Sequence, residues 1–124
     1  MAVIKAIDPK KKLTRFSNHW HPRQIGVVND MQVLVAKVKG DFVWHQHDDE
    51  DELFQILKGT LYLQFEDHTE TVKEGEIIIV PKGVKHCPMT KNGEEVHIML
   101  FERLTTKHTG NVEDSLTQSD YPKI

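Results

Sequence analysis

The chain has a single cysteine, Cys87, among its 124 residues. It therefore cannot close an internal disulfide, and such sparing use of cysteine suits a reducing compartment. It lacks an excess of charge of either sign. Its 16 Lys and Arg against 19 Asp and Glu leave −3 at pH 7, which gives no electrostatic case for nucleic acid or an anionic membrane as partner. Long hydrophobic runs are missing too. The longest, "IIIV" at 77–80 and "IMLF" at 98–101, fall far short of the roughly 20 residues that span a bilayer. The N-terminal "MAVIKAIDPKKKL" carries its lysines after its apolar residues and has no long apolar centre, so it is not expected to act as a secretory signal. A cytoplasmic protein is the expectation. Helical periodicity is also absent: no segment of useful length repeats apolar residues at i, i+3, i+4 and i+7, so little helix is expected.

What the chain does have is short runs of β-branched and aromatic residues. "MQVLVAKV" (31–38), "FVWHQH" (42–47), "ELFQILK" (52–58), "TLYLQFE" (60–66), "TETV" (69–72), "EIIIV" (76–80) and "EVHIMLF" (95–101) read as strands. Turn signals separate them, among them Lys39-Gly40, Lys58-Gly59, Glu74-Gly75, Pro81-Lys82-Gly83 and Asn92-Gly93. Regularly spaced short strands of this kind argue for an all-β sandwich or barrel. The length suits one domain with a single hydrophobic core. Its strand-rich part covers about 31–102, with an irregular N-terminal segment 1–30 and a polar tail 103–124 expected to pack on the barrel or on a second subunit. Both faces of "TLYLQFE" and "HIMLF" carry large apolar groups, where a half-wet strand would alternate more cleanly. A dimer interface or terminal segments folded over the barrel would each account for this.

The densest cluster of ligand-type side chains is "HQHDDEDELF", residues 45–54. On an extended segment residues i and i+2 share a face, so His45 and His47 project together while Trp44 and Gln46 face the other way. H-x-H is a weak signal in a chain with 8 histidines. A second instance, His19-Trp20-His21, is read as incidental because Pro22 and its irregular surroundings give it no strand.

The longer spacing says more. "GDFVWHQHDDEDELFQILKG" and "GEIIIVPKGVKH" resemble the two conserved motifs of the cupin superfamily, G-x5-H-x-H-x3/4-E-x6-G and G-x5-P-x-G-x2-H-x3-N. The resemblance covers residues 40–86 and supplies all four ligand positions: His45, His47, Glu52 and His86. It departs at two points. Only four residues separate Gly40 from His45, and Thr90 stands where the second motif ends in Asn. The resemblance implies a double-stranded β-helix (jelly-roll) barrel of about six to eight strands, one divalent metal ion per chain, a small-molecule substrate and a homodimer. Three neutral imidazoles and one carboxylate would leave such an ion a net charge near +1 and two octahedral positions open. Nitrogen and oxygen donors without thiolate suit Fe, Mn, Ni, Co or Cu, and Zn less specifically. A dioxygenase, or an isomerase or lyase acting on a sugar or sugar acid, would fit; a non-catalytic module for a carbohydrate or anion is the alternative.

The remaining candidates are weaker. Asp48, Asp49, Glu50 and Asp51 read as a solvated loop, with a lesser case for one of them holding a ligand imidazole. His97 and Tyr62 are the only further residues considered for catalysis, His97 reading first as a satisfied core histidine. Cys87 reads as a buried inert thiol, His68 and His108 as surface residues, and Trp20 and Trp44 as packing residues. Thr90 is assigned to the pocket wall.

Overall fold

The structure is a computed structural model and describes residues 4–107, 109–110 and 121–124. The elements run α1 (Pro9–Leu13), β1 (Arg23–Val28), β2 (Met31–Val38), β3 (Glu52–Lys58), β4 (Thr60–Phe65), β5 (Thr69–Lys73), β6 (Ile77–Val80), β7 (His86–Met89) and β8 (Val96–Arg103). The strands form two antiparallel sheets, ordered β1-β2-β8-β3-β6 and β5-β4-β7, which together make the expected jelly-roll barrel. No helix among the described residues is long and apolar enough to cross a membrane.

Alternation dictates what fills the barrel. Val96, Ile98 and Leu100 of β8, Phe54 and Ile56 of β3, Leu34, Ala36 and Val38 of β2, and Leu61 and Leu63 of β4 are all buried in one cluster. Each set is spaced by two residues, so each strand turns one side inward. Outside the barrel, α1 packs on β2, and both Leu13 and the outward Val35 are buried.

Four sequence expectations about the fold need correction. The first thirty residues are not wholly irregular. Asp8 caps α1 by accepting from the Lys10 and Lys11 amides, with Pro9 opening the helix, the usual chemistry of a helix start. β1 was not expected, because Pro22 and Gly26 break its pattern, and its register with β2 does shift between Gln24 and Gly26. Residues 42–47 form no regular strand; only single bridges, Asp41↔Met89 and His45↔His86, tie this stretch to β7. Conversely, "HCPM" at 86–89 is a strand, and pairing with β4 imposes that conformation despite Pro88.

The tail begins against the barrel, with Thr106 and Thr109 buried. Its last residues return to the β1 edge, where Gln24 donates to the Pro122 carbonyl at 2.9 Å and accepts from the Ile124 amide at 3.1 Å. His108 and residues 111–120 lie outside the described residues.

Candidate metal centre

His45, His47, Glu52 and His86 are brought together by two sheets. Glu52 starts β3 in the five-stranded sheet and His86 starts β7 in the three-stranded one. His45 and His86 exchange backbone hydrogen bonds of 2.9 and 2.8 Å, so their side chains leave the same face and their ring centroids lie 4.3 Å apart. His47 is placed by its carbonyl, which accepts from Gly83 N–H at 2.7 Å. Gly83 has φ +80°, in the left-handed region that a residue without Cβ enters freely. The same-side projection read from the sequence therefore holds, although single bridges and not a strand secure it.

One donor atom from each of the four residues lies within 4.8 Å of every other. Donors about 2.1 Å from one cation stand at most about 4.2 Å apart, so the set needs only small inward shifts to close on an ion. All four residues are buried, His86 completely. The Nδ1 atoms of His45 and His86 each meet a backbone carbonyl at 2.8 Å, that of Val43 and of Val84 respectively. Those bonds commit Nδ1–H and leave Nε2 as the free lone pair, the tautomer a metal ligand needs. Glu52 Oε1 lies 3.5 Å from His47 Nε2 and 3.6 Å from His86 Nε2, too far for firm hydrogen bonds. These three atoms and His47 Nδ1 are buried without a hydrogen-bond partner. Buried polar atoms seldom stay unpaired, and a convergent set of them is what a cation site presents. The residues fit the group.

Charge at the site follows from burial. Burial pushes Glu52 upward, but contact with His47 and His86 outweighs it and holds the carboxyl well below its usual range. Burial, then the neighbouring His86, lowers His45 from 6.5 to about 4. Its folded value thus lies below its unfolded one, so its contribution to stability is complete above pH 6.5 and is lost as pH falls to about 4. A shift of that size corresponds to about 3 kcal/mol. In metal-free protein the stability gap between wild type and His45→Gln should change by about this amount between pH 7 and pH 4. Urea midpoints at the two pH values check it, and a gap that stays constant would contradict it.

One residue of the site escaped the sequence reading. Glu102 of β8 is fully buried. It stands beside Glu52, since Leu53 pairs with Phe101 one step along, and directly across from Gln32 of β2, also buried. Burial first, then the Glu52 charge and hydrogen bond, then Glu50, push Glu102 far above its ordinary range. A charged Glu102 would leave both of its oxygens buried without a partner; the neutral acid is a donor facing Glu52. Its effect on stability is opposite in sign to that of His45. The unfolded chain ionises this group at lower pH than the folded one, so Glu102 costs stability as pH rises. Parity could have revealed it: after Val96, Ile98 and Leu100, position 102 is the next inward one.

The acidic run serves the loop and not the rings. Asp51 accepts from Lys82 N–H at 2.9 Å, Asp48 from Gln46 Nε2 at 2.8 Å, and Glu50 from the Thr105 hydroxyl at 2.9 Å. None takes the ring N–H of His45 or His86, which go to carbonyls. Tyr62 lies on the outer face of β4 under Lys91 Nζ, 4.0 Å from the ring centroid. His97 lies on the outer face of β8 and bonds Glu95 at 2.8 Å. Neither joins the four. His19 bonds the same Glu95 at 2.7 Å, which keeps the second H-x-H out of the site. Trp20 is buried, but Trp44 is 40% exposed and is not a packing residue. Cys87 is buried and lies 3.6 Å from the Phe42 carbonyl. Burial pushes its thiol up, which makes it a poor nucleophile. The two departures from the motif pattern meet each other: Gly40 N–H donates to Thr90 Oγ1 at 2.8 Å, and Thr90 N–H to the Gly40 carbonyl at 2.9 Å. Thr90 thus clasps the turn and is absent from the wall of the cavity beside His45 and Glu52.

The comparisons with known proteins agree with the fold. The family model for the cupin domain matches residues 32–102. A cupin-2 domain protein of solved structure from Shewanella frigidimarina is 44% identical, with a TM-score of 0.76 over 78% of this chain and 93% of that one. A protein of solved structure from Neisseria meningitidis is 30% identical, with a TM-score of 0.72 over 80% of this chain and 99% of that one. The uncharacterized protein YdbB of Bacillus subtilis is 38% identical over 82 residues, which are 65% of this chain and 66% of that protein.

Proposed function

Since the chain belongs to the cupin domain family, we propose that it holds one divalent metal ion through His45, His47, Glu52 and His86 and acts as a small metalloenzyme on an oxygen-bearing small molecule. The observation that carries this reading is the convergence of four buried donors, of which His47, Glu52 and His86 present facing atoms with no other partner. When bound, such an ion supplies Lewis acidity and, for a redox-active metal, electron transfer.

The protein's own share is positioning and, on the side of His45 and Glu52, exclusion of water. The Val43 and Val84 carbonyls fix two ring orientations, and Glu102 keeps its proton beside Glu52. An apolar cavity adjoins His45 and Glu52, so a ligand there is largely removed from solvent.

Two reaction classes were open from the sequence. Isomerisation or elimination through an enediolate needs a base to carry a proton. Among the described residues lining the cavity, His45 and Glu52 are the only titratable ones, and both are assigned to the ion. This favours dioxygenation, in which both atoms of O2 enter the substrate and no external reductant is required. The shortage of acid–base groups in that cavity also supports the second reading, a non-catalytic module that recognises a small molecule. A homodimer in the cytoplasm remains part of the proposal, supported by Ile77 and Ile79, 55% and 57% exposed on β6.

Oxygen uptake by protein purified without air and loaded with Fe(II) tests the choice, with pooled catechols, diketones and sugar acids as substrates. Consumption with any pool is the expected result. Binding without consumption across Fe, Mn, Ni and Co would leave the module.

A further inference from the structure

The cavity beside the ligands is small, about 30 Å³, room for about two water molecules. Nine of its eleven lining residues are apolar, and the other two are His45 and Glu52. The wall has no hydrogen bond to spare. Pro22 and Pro88 carry no N–H, and the Trp20 indole N–H already donates to the Lys39 carbonyl at 3.0 Å. Trp20 comes from the N-terminal segment and stacks on Phe42, with centroids 4.5 Å apart and planes 14° from parallel. Its backbone is held at φ 62°, where a bulky side chain is rarely found, and its amide donates to the Lys37 carbonyl at 2.9 Å. Strain of this kind persists where the surroundings demand it, often at ligand sites. Here it sets an aromatic wall against the ligand cluster.

Resting on the metal reading above, we infer that this site takes a small molecule with one oxygen-bearing head at the metal and a compact hydrocarbon body in the cavity. Trp20 and Phe42 are the residues that set this specificity. A polyhydroxylated body is rejected because each buried hydroxyl would lose its water and find no partner. The size of the space limits the body to a few carbon atoms unless Trp20 moves. Sugars and sugar acids, compatible with the ligand set alone, are thus poor occupants of this cavity.

A pair of probes with one head and two bodies tests the inference: 2-hydroxybutyrate, whose body ends in a methyl, and glycerate, whose body ends in a hydroxyl. The protein is the full chain carrying Trp44→Phe, so that Trp20 is its single tryptophan, loaded with Co(II). The visible spectrum of Co(II) reports the head and Trp20 emission reports the body. Both probes should perturb the Co(II) spectrum. The methyl-ended probe should bind about tenfold or more tightly and alter Trp20 emission. Adding Val38→Thr, which places a hydroxyl in the wall with almost no change of size, should narrow that ratio. Equal or tighter binding of glycerate overturns the inference, as does Trp20 emission unmoved by saturating 2-hydroxybutyrate or a Co(II) spectrum that neither probe changes. Failure to take up Co(II) at all would overturn the metal reading itself, an outcome separate from the others.

Discussion

His47→Ala is expected to lower metal affinity by about 100-fold or more, since altering even the partners of metal ligands costs about 10–100-fold. The barrel should still fold. His47 lies beside a polar, solvent-connected pocket that also touches Asp48, Asp49 and Glu50, so water can fill the space left by the ring. His86→Ala should lose the metal too, but it is the less clean experiment. His86 is fully buried and lies edge-on to Phe54, with centroids 6.4 Å apart. Emptying that position should also cost about 2–4 kcal/mol of stability. His19→Ala should leave occupancy unchanged, because His19 is bonded to Glu95 outside the cluster. Metal content by mass spectrometry after equilibration with a limiting chelator reads all three. Full occupancy in His47→Ala would remove His47 from the ligand set.

The second large effect concerns stability. Without an ion, the barrel leaves four polar atoms of the His47, Glu52 and His86 cluster buried and unpaired, a costly arrangement in a low-dielectric interior. An ion that binds only the folded state removes part of that cost. At a free concentration one hundred times its dissociation constant it adds about 2.7 kcal/mol, which in a domain of this size raises Tm by about 10 °C. Thermal unfolding with and without Mn(II), Co(II) or Zn(II), each against a chelator control, measures it. Identical Tm values under every condition would mean that no ion closes the site. Carrying Glu52→Gln through the same experiment separates cause from coincidence. That variant should lose most of the increase on adding metal.

Much of the site was legible in the chain because its signals are local. His45 and His47 share a side through the two-residue period of extended backbone, and that period survives even where residues 42–47 make only isolated bridges. Gly83 and the turn around it are encoded by residue type. The inward Phe54 and Ile56 of β3 follow from the same period, whereas β4 and β8 carry large apolar groups on both faces and only the structure shows which set turns inward. Where local chemistry misled, a tertiary partner had overruled it. "HCPM" becomes a strand because β4 pairs with it. "HWH", unpromising as a strand, instead places Trp20 against Phe42. Tyr62 and His97 were candidates by type, and only the facing of β4 and β8 removes them.

The sequence alone determined the class of fold, the four residues of the candidate site and the absence of thiolate among them, since each depends on residue type and short spacing. The tertiary structure decided what surrounds those donors: Glu102 as a neutral neighbour of Glu52, and a wall contributed by Trp20 and Pro22. The physical reason is register. Which side chains meet across a sheet depends on how strands far apart in the chain align, and a shift of one residue would turn every one of them to the opposite face.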